Sequence, residues 1–585
     1  MKDQLNHELQ TAQQQISQQG KRLSRIALIR FLLFLVMAWS VFQLAEDRQG
    51  WWLMLLVSGA LFLLCLHHHQ QLRRQQQRWM ARSQILQRCL MRFDGSWKTL
   101  PDTGADLIDP QQNHVLDLDV FGPNSLYQYL CMAKLPQGRK RLAELLSCPH
   151  DEAQIIRRQK TVRALRENLT FLLDDWTESH LLSDQQAQAL SREKVETLLQ
   201  PVTLPVPRWL IRSLPIVTLT MLALTVSRIV PPLWFMLLFF AQAALALFSM
   251  GPVRCSLQTA SQCRYGLQSS LNRCRRIVHQ APACPHLDTL VSQLSQKEGF
   301  LHGAAMLDRL LDLLSLNANP FLYLPCQLLL LWDLQCLIRW NHWIRRGGRQ
   351  WLSVLDQLGE LEALESLTMC GLTHQEYCFP QFHHQPQPDL QLTRIAHPLL
   401  DPQTAIANDL TLNCSLTVIT GSNMSGKTTF MRTVGLNQIL AQAGGYVCAA
   451  AMSTCCFRLL SSMRIRDDLS EGISTFYGEL MRIRQILNAV ADKQPLLILI
   501  DELFRGTNSL DRIDGSKEVL KRLDHPWIRA LITTHDLQLC QSAKANVHFE
   551  EQYQDGKILF DYRLKSGPCT TRNARYLMKM VGISD

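Results

Sequence analysis

The residues best suited to chemistry form a glycine-bounded loop at 421–429, GSNMSGKTT. Gly421 and Gly426 bracket four residues and are followed by Lys427 and Thr428, which completes the pattern G-x-x-x-x-G-K-[ST]. Glycines let such a loop turn tightly and aim consecutive N–H groups at phosphate oxygens. An apolar run precedes the loop and a helical pattern follows it, so a helix N-terminus adds to the attraction for phosphate. The sequence therefore predicts a nucleotide site.

Different loop residues are expected to bind different parts of the nucleotide. Lys427 is expected to reach the β- and γ-phosphates, and the Thr428 hydroxyl to hold Mg²⁺. The predicted cofactors are ATP and Mg²⁺. The predicted ATP-binding residues are Gly421, Ser422, Asn423, Met424, Ser425, Gly426, Lys427, Thr428 and Thr429.

A second apolar run supplies the acidic half of the site. Pro495 is followed by LLILI and then by Asp501 and Glu502, as expected of a buried parallel strand whose carboxyl end faces a ligand. Asp501 is expected to hold Mg²⁺ together with Thr428, and Glu502 to act as the general base towards water. His535, expected to end the next strand, is the candidate sensor of the γ-phosphate, which makes Glu502 and His535 the predicted catalytic residues. The alternatives are an acidic helix cap for the pair and a structural role for the histidine.

Composition restricts the class of protein. The chain has 585 residues, a net charge of +10 and 18 scattered cysteines without a C-x-x-C pair. Its length predicts several domains with a large core. The cysteines are expected to be reduced packing residues, with neither disulfides nor zinc. The basic charge fits either an anionic membrane surface or nucleic acid.

Two pairs of apolar runs suggest membrane hairpins. The runs are Ile26–Ala45 with Trp51–Leu66, and Trp209–Ser227 with Ile229–Met250. Basic residues flank both pairs, which places the flanks on the cytoplasmic side. The predicted location is the cell membrane, multi-pass, with the nucleotide site in the cytoplasm. A buried helical hairpin in a soluble protein is the alternative for the first pair.

The remaining segments before the strand-rich C-terminus show helical periodicity. The Leu-rich stretch FLYLPCQLLLLWDLQCLIRW is expected to be a buried soluble helix, since Asp333 and Arg339 lie within it. The predicted fold is an α-helical region with transmembrane hairpins, followed by a C-terminal α/β P-loop domain. The predicted divisions are 1–25 (polar lead-in), 26–66 (hairpin), 67–115 (linker), 116–208 (helical), 209–250 (hairpin), 251–385 (helical) and 386–585 (α/β domain).

The motif order resembles the ATPase domain of the MutS mismatch-repair family. GSNMSGKTT, DDLSEGISTFYGE, LILIDELFRGTNSLD and ITTHD follow one another with approximately the family's spacing, and YRLKSGP resembles its closing segment. The resemblance implies that Ser474, Thr475, Phe476 and Glu479 form an S-T-F-x-x-E signature facing the nucleotide of a second subunit. It thus implies a homodimer with composite ATP sites. It further implies that the P-loop domain is of the ABC type and that helical segments 116–208 and 251–385 form a core and a lever region.

The resemblance also has gaps. It covers roughly residues 116–200 and 300–585, and Ala405 and Ala407 stand where the family commonly has an aromatic residue and a proline. No mismatch-reading domain precedes the core, and an apolar hairpin occupies the lever region where a DNA clamp is expected. The expected function is therefore that of a membrane-anchored MutS-like ATPase with an unidentified partner. A DNA-binding mismatch-repair-type ATPase is the alternative, and an ABC-type transporter is less favoured because STFYGE replaces a glycine-rich signature.

Overall fold

The helices begin with two long antiparallel segments and continue as a helical core. In the computed structural model, the described residues are 1–46, 50–109, 112–148, 150–295, 300–314, 316, 320–348, 350–374, 376–383, 388–422, 424–464, 475–504, 508–554 and 557–569. The first nine helices are α1 (Lys2–Ala45), α2 (Trp51–Leu90), α3 (Asn113–Asp117), α4 (Leu126–Leu130), α5 (Pro136–Ser147), α6 (Glu152–Glu167), α7 (Leu169–His180), α8 (Asp184–Ala189) and α9 (Arg192–Leu198). Then come α10 (Arg208–Val226), α11 (Pro232–Gln280), α12 (Pro285–Ser295), α13 (Phe300–Leu314), α14 (Pro320–Leu330), α15 (Trp332–Trp343), α16 (Gln350–Leu367) and α17 (Met369–Thr373).

Three of these helices, α1, α2 and α10, are long and apolar enough to cross a membrane, as judged by length and composition. A shorter apolar stretch, Pro232–Phe248, opens α11. Large side chains on these helices remain exposed, among them Phe31, Trp39, Leu53, Leu63, Trp209 and Phe240. Contiguous exposed apolar surface of this kind marks a contact with lipid or with another protein.

The helix bounds differ from the expected segments at several of the expected divisions. The polar lead-in and the first apolar run form one continuous helix, α1, and α11 runs without a break through the expected division at 250. Both helices extend past their apolar parts because the flanking polar sequence is also helix-forming. The second apolar run starts later than expected, since α11 begins at Pro232 and residues 229–231 belong to the turn after α10.

The Leu-rich stretch is two helices, so the prediction of one buried helix is wrong at Leu331. This residue has φ +51°, a left-handed conformation that ends α14 and starts α15. α15 is largely buried, whereas α14 packs on α10 and α11 and leaves Leu324 exposed. Gln242 of α11 joins the three helices, because it lies 2.5 Å from the Thr218 hydroxyl of α10 and donates to the carbonyls of Leu328 and Leu329 of α14.

A buried ionic cluster connects α11 to the helical core. Arg273 of α11 donates to Asp175 of α7 at 2.5 Å and to Glu362 of α16 at 2.6 Å. Glu362 also accepts from the backbone N–H groups of Lys134 and Leu135 at the start of α5. Burial lowers the pKa of Arg273, but the two carboxylates outweigh burial and hold it well above its usual range. Burial and the nearby Asp175 raise the pKa of Glu365, which favours its neutral form in this cluster.

The C-terminal domain is α/β, as expected. Its strands are β1 (Gln381–Phe382), β2 (Leu390–Ile395), β3 (Asn408–Leu412), β4 (Leu416–Thr420), β5 (Ala451–Thr454), β6 (Arg458–Ser462), β7 (Leu496–Asp501), β8 (Ile528–Thr533), β9 (Ala545–His548), β10 (Glu551–Gln554), β11 (Lys557–Phe560) and β12 (Lys565–Ser566). Its helices are α18 (Lys427–Ala443), α19 (Thr475–Val490) and α20 (Ser509–Leu523).

The main sheet brings the predicted site strands side by side. Its order is β12-β9-β4-β8-β7-β6, parallel except for β12. Every residue of β4, β7 and β8 is buried, which explains why they read as continuous apolar runs. Because the three strands are parallel, their carboxyl ends lie at one edge of the sheet. β8 ends at Thr533, so His535 follows the strand instead of ending it as expected.

We expect Arg273→Met to destabilise the helical core by about 3–5 kcal/mol, because it leaves buried carboxylates without their cation. The matched control is Arg275→Met, two residues along α11. The Arg275 side chain is 43% exposed and pairs with Asp308, whereas that of Arg273 is 1% exposed. The control should cost about 1 kcal/mol or less. The free energy of unfolding of both variants is measured in detergent from the fluorescence of the buried tryptophans. Equal small losses of stability would contradict the structural role of Arg273.

Candidate nucleotide-binding site

The loop after β4 has the conformation that its glycines permit. Gly421 has φ +149° and Gly426 has φ +104°, values that other residues adopt only with strain. A Cβ on Gly421 would also lie 2.7 Å from the Phe549 carbonyl oxygen. α18 starts directly after Gly426, so its N-terminus faces the loop. Asn423 lies outside the described residues.

Lys427 lies folded onto the loop. Its ammonium donates to the carbonyls of Gly421 at 2.8 Å and Ser422 at 2.7 Å. Burial lowers the pKa of Lys427, while the carboxylates of Glu502 and Asp501 act in the opposite direction. An ammonium held in this way can exchange carbonyl oxygens for phosphate oxygens, which are stronger acceptors because they carry charge.

The two predicted magnesium ligands lie together. The Thr428 hydroxyl donates to Asp501 at 3.0 Å, and the Thr533 hydroxyl donates to the other carboxylate oxygen at 2.6 Å. Thr533 Oγ1 also accepts from the backbone N–H of Glu502 at 3.1 Å. Asp501 is thus fixed by the neighbouring strand. A hydroxyl and a carboxylate are hard oxygen donors that suit Mg²⁺ with retained waters, so the residues fit this ion.

Glu502 and His535 form a pair at the same edge of the sheet. His535 Nε2 lies 2.8 Å from Glu502 Oε1, with both side chains partly exposed. Glu502 has φ +59°, an unusual conformation for a residue with a side chain. Strain of this kind is concentrated at functional sites. The sequence predicted both residues as catalytic without predicting their contact.

One cavity of about 810 Å³ contains all of these groups. Lys427, Thr428, Asp501, Glu502 and His535 line its polar end. Leu400, Ala405, Ile406 and Tyr562 line an apolar wall, which has the chemistry to receive a flat aromatic ring. Tyr562 opens the closing segment YRLKSGP, and the sequence did not predict that it lines this cavity.

Two further residues of the cavity wall have structural roles. Asn408 donates to the Tyr562 carbonyl at 3.0 Å and accepts from the Leu564 N–H at 2.7 Å, so it holds the segment that carries Tyr562. Burial and the nearby Arg432 lower the pKa of His397 to about 4. His397 is therefore neutral near pH 7.

The expected signature segment lies next to the Glu502 loop. Ser474 lies outside the described residues, and α19 starts at Thr475. Phe476 packs edge-on against Phe504 with ring centroids 6.2 Å apart, and buried Glu479 accepts from the Phe504 N–H. Within one chain, Phe476 and Glu479 thus support the residues that follow Glu502.

Sequence reasoning missed a buried acid that joins the helical core to this segment. Asp117, at the end of α3, accepts from the Ser461 hydroxyl at 2.7 Å and from the backbone N–H of Met463 at 3.0 Å. It also accepts from Arg464 N–H and from the Arg482 guanidinium of α19. These contacts tie Asp117 to the end of β6 and to α19. The sequence signal for this role was the presence of Asp117 within the apolar run HVLDLDVF. Its partners could not be predicted because they lie far along the chain.

Comparison with known proteins agrees with this geometry. The family model for MutS domain V matches residues 417–584. The chain is 32% identical over 240 residues to the DNA mismatch repair protein MutS of Geobacillus sp., an alignment that covers 38% of this chain and 28% of that protein. It is 36% identical over 177 residues to DNA mismatch repair protein MutS 2 of Haloarcula marismortui, covering 29% and 18%, and 35% identical over 242 residues to mouse MutS protein homolog 4, covering 38% and 24%.

The chain therefore spans less than a third of the length of these curated relatives. The matched residues nevertheless include most of the site, from β4 through the loop, Asp501 and Glu502 to His535. The C-terminal domain of this chain is thus similar to domain V of the MutS family over the residues that form the nucleotide site.

Proposed function

We propose that this protein is a membrane-anchored MutS-like ATPase that binds ATP with Mg²⁺, dimerises, and couples hydrolysis to an unidentified partner. The proposal rests on one observation. A single cavity is lined by Lys427, Thr428, Asp501, Glu502 and His535. MutS domain V similarity over the same residues supports it.

The chain's own residues perform the chemistry in this proposal. The loop N–H groups and Lys427 bind the phosphates, and Thr428 and Asp501 hold Mg²⁺. Bound Mg²⁺ supplies positive charge to the phosphate oxygens. Glu502 orients a water molecule and accepts its proton as the water attacks the γ-phosphorus. His535 contacts Glu502 at 2.8 Å and keeps its carboxylate pointed into the cavity.

The exposed apolar helices are assigned to the membrane. Lys21, Arg22 and Arg25 precede the apolar part of α1, and Arg73 and Arg74 follow that of α2. This pattern supports a cytoplasmic location for the C-terminal domain, with access to ATP. Because α11 runs continuously from its apolar stretch to Arg273, it mechanically connects the membrane to α7 and α16.

Dimerisation completes each site in this proposal. The S-T-F-x-x-E segment of one subunit is assigned to the nucleotide of the other, with Ser474 and Thr475 as its contacting residues. Phe476 and Glu479 hold the start of α19 against the loop after Glu502. Because of these contacts, closure of the dimer would move the catalytic carboxylate of Glu502.

We expect Glu502→Gln to retain ATP binding and to lower kcat by at least about 100-fold, since the amide cannot accept the proton of the attacking water. Binding of a fluorescent ATP analogue and phosphate release measure the two effects separately. Glu551→Gln is a matched control, because Glu551 hydrogen-bonds Ser422 at 2.5 Å and is not placed at the γ-phosphate. Unchanged hydrolysis in Glu502→Gln would exclude Glu502 as the base.

We expect chains carrying Lys427→Ala and chains carrying Ser474→Arg to complement each other. Each variant alone has two defective composite sites, whereas a mixed dimer has one intact site. Differently tagged chains, co-expressed and purified through both tags, should recover up to about half of wild-type turnover if the sites act independently. Folded, co-purifying chains without recovered activity would exclude sites shared between subunits.

DNA binding is a second candidate function, favoured by the names of the relatives, which are DNA mismatch repair proteins. The full chain in detergent should be titrated with matched and mismatched duplexes over a range of salt concentrations. Binding that depends on contacts with the DNA phosphates would weaken as the salt concentration rises. A preference for the mismatch would support this function, and no binding even at low salt would exclude it.

A further inference from the structure

A second cluster of reactive side chains lies away from the nucleotide cavity, where the lever helices meet the C-terminal domain. Cys370 and His374 come from α17 and its end, and Cys448 comes from the segment before β5. All three are buried, and their ligand atoms lie within 4.8 Å of one another. Among the described residues, no other group of His, Cys, Asp and Glu side chains converges in this way.

A fourth polar atom borders the cluster. The Tyr129 hydroxyl lies 3.2 Å from His374 Nε2 and 2.5 Å from the Thr373 hydroxyl. Thr373 donates its own proton to the Met369 carbonyl, so the Tyr129 proton is directed to Thr373. The Tyr129 oxygen then keeps lone pairs that can accept from His374 Nε2 or bind a cation. The separation of 3.2 Å is close to the roughly 3.3 Å expected between nitrogen and oxygen ligands of one tetrahedral metal.

The donor set determines which cation would bind. Two thiolates and a neutral imidazole suit Zn²⁺, and their charges sum to zero with that ion, which lowers the cost of burial. Binding of the ion would displace the protons of both thiols, so zinc affinity would fall as the pH falls. Tetrahedral sulfur ligands lie about 3.8 Å apart, which small side-chain rotations from the present positions would achieve.

We propose that Cys370, His374 and Cys448 bind a structural zinc ion, with the Tyr129 hydroxyl at the fourth position. The backbone around the site is already fixed. Cys448 N–H donates to Asn437 of α18 at 2.7 Å, and its carbonyl accepts from Ala396 N–H at 2.8 Å. Zinc would therefore clamp the end of the α16–α17 lever to α18, the helix that begins at the phosphate loop.

The spacing of these three residues in the sequence does not predict a metal site. Cys370 and His374 are close in the chain, but Cys448 comes from the far side of β2, β3, β4 and α18. The expectation of packing cysteines without zinc rested on the lack of a C-x-x-C pair, and this proposal revises it.

The test measures metal in the purified full-length chain, independently of ATP hydrolysis. Wild type from zinc-supplemented cells should contain one zinc per chain by elemental analysis. Cys370→Ser and Cys448→Ser should lose it. The matched control is Cys455→Ser, because Cys455 is also buried and burial raises the pKa of its thiol to about 12; this variant should keep its zinc.

Cobalt exchange into the wild-type chain keeps the test decisive if the serine variants fail to fold. Tetrahedral Co²⁺ bound to two thiolates should give intense visible absorption together with a thiolate charge-transfer band. Absence of zinc and of the cobalt bands would overturn the proposal. So would zinc that persists in both serine variants, or a disulfide between Cys370 and Cys448 detected by mass spectrometry.

Discussion

Arg273 lies on α11 where α7, α16 and the start of α5 meet, and its guanidinium is buried among carboxylates from two of these helices. A buried charge is tolerated only when its partners are held in place, so the four helices have one mutual arrangement that satisfies the cluster. α11 also carries the apolar stretch Pro232–Phe248. The cluster thus ties the helix that carries this apolar stretch to α7, α16 and the start of α5.

In the C-terminal domain, the parallel sheet imposes a comparable constraint. β4, β7 and β8 are buried along their whole length and end at one edge. The phosphate loop, Asp501 and His535 therefore meet even though long helices separate them in sequence. Thr533 contacts both the Asp501 carboxylate and the Glu502 N–H, so strand pairing between β7 and β8 sets the positions of the acidic residues.

Several contacts connect these halves. Asp117 of the helical region binds the end of β6 and Arg482 of α19, and Cys370 and His374 at α17 lie close to Cys448 of the C-terminal domain. In the proposed ATPase, a change at the phosphate loop would be transmitted through α18 and α19 to the lever. From the lever, the change would pass through the contact between Glu362 and Arg273 to α11 and then to the apolar helices.

The sequence by itself determined the phosphate loop, the strand before Asp501 and Glu502, and the apolar runs, because each depends on residues adjacent in the chain or on a short period. It placed Lys427, Thr428 and Asp501 in roles that their contacts fit. It did not reveal the Glu502 contact with His535, the Tyr562 wall, Asp117 or the cysteine and histidine cluster. It also misjudged the break at Leu331, because leucine carries no turn signal and yet this residue has a left-handed conformation. These features were decided by tertiary structure, since their members come from distant segments and meet only after the sheet and helices have packed.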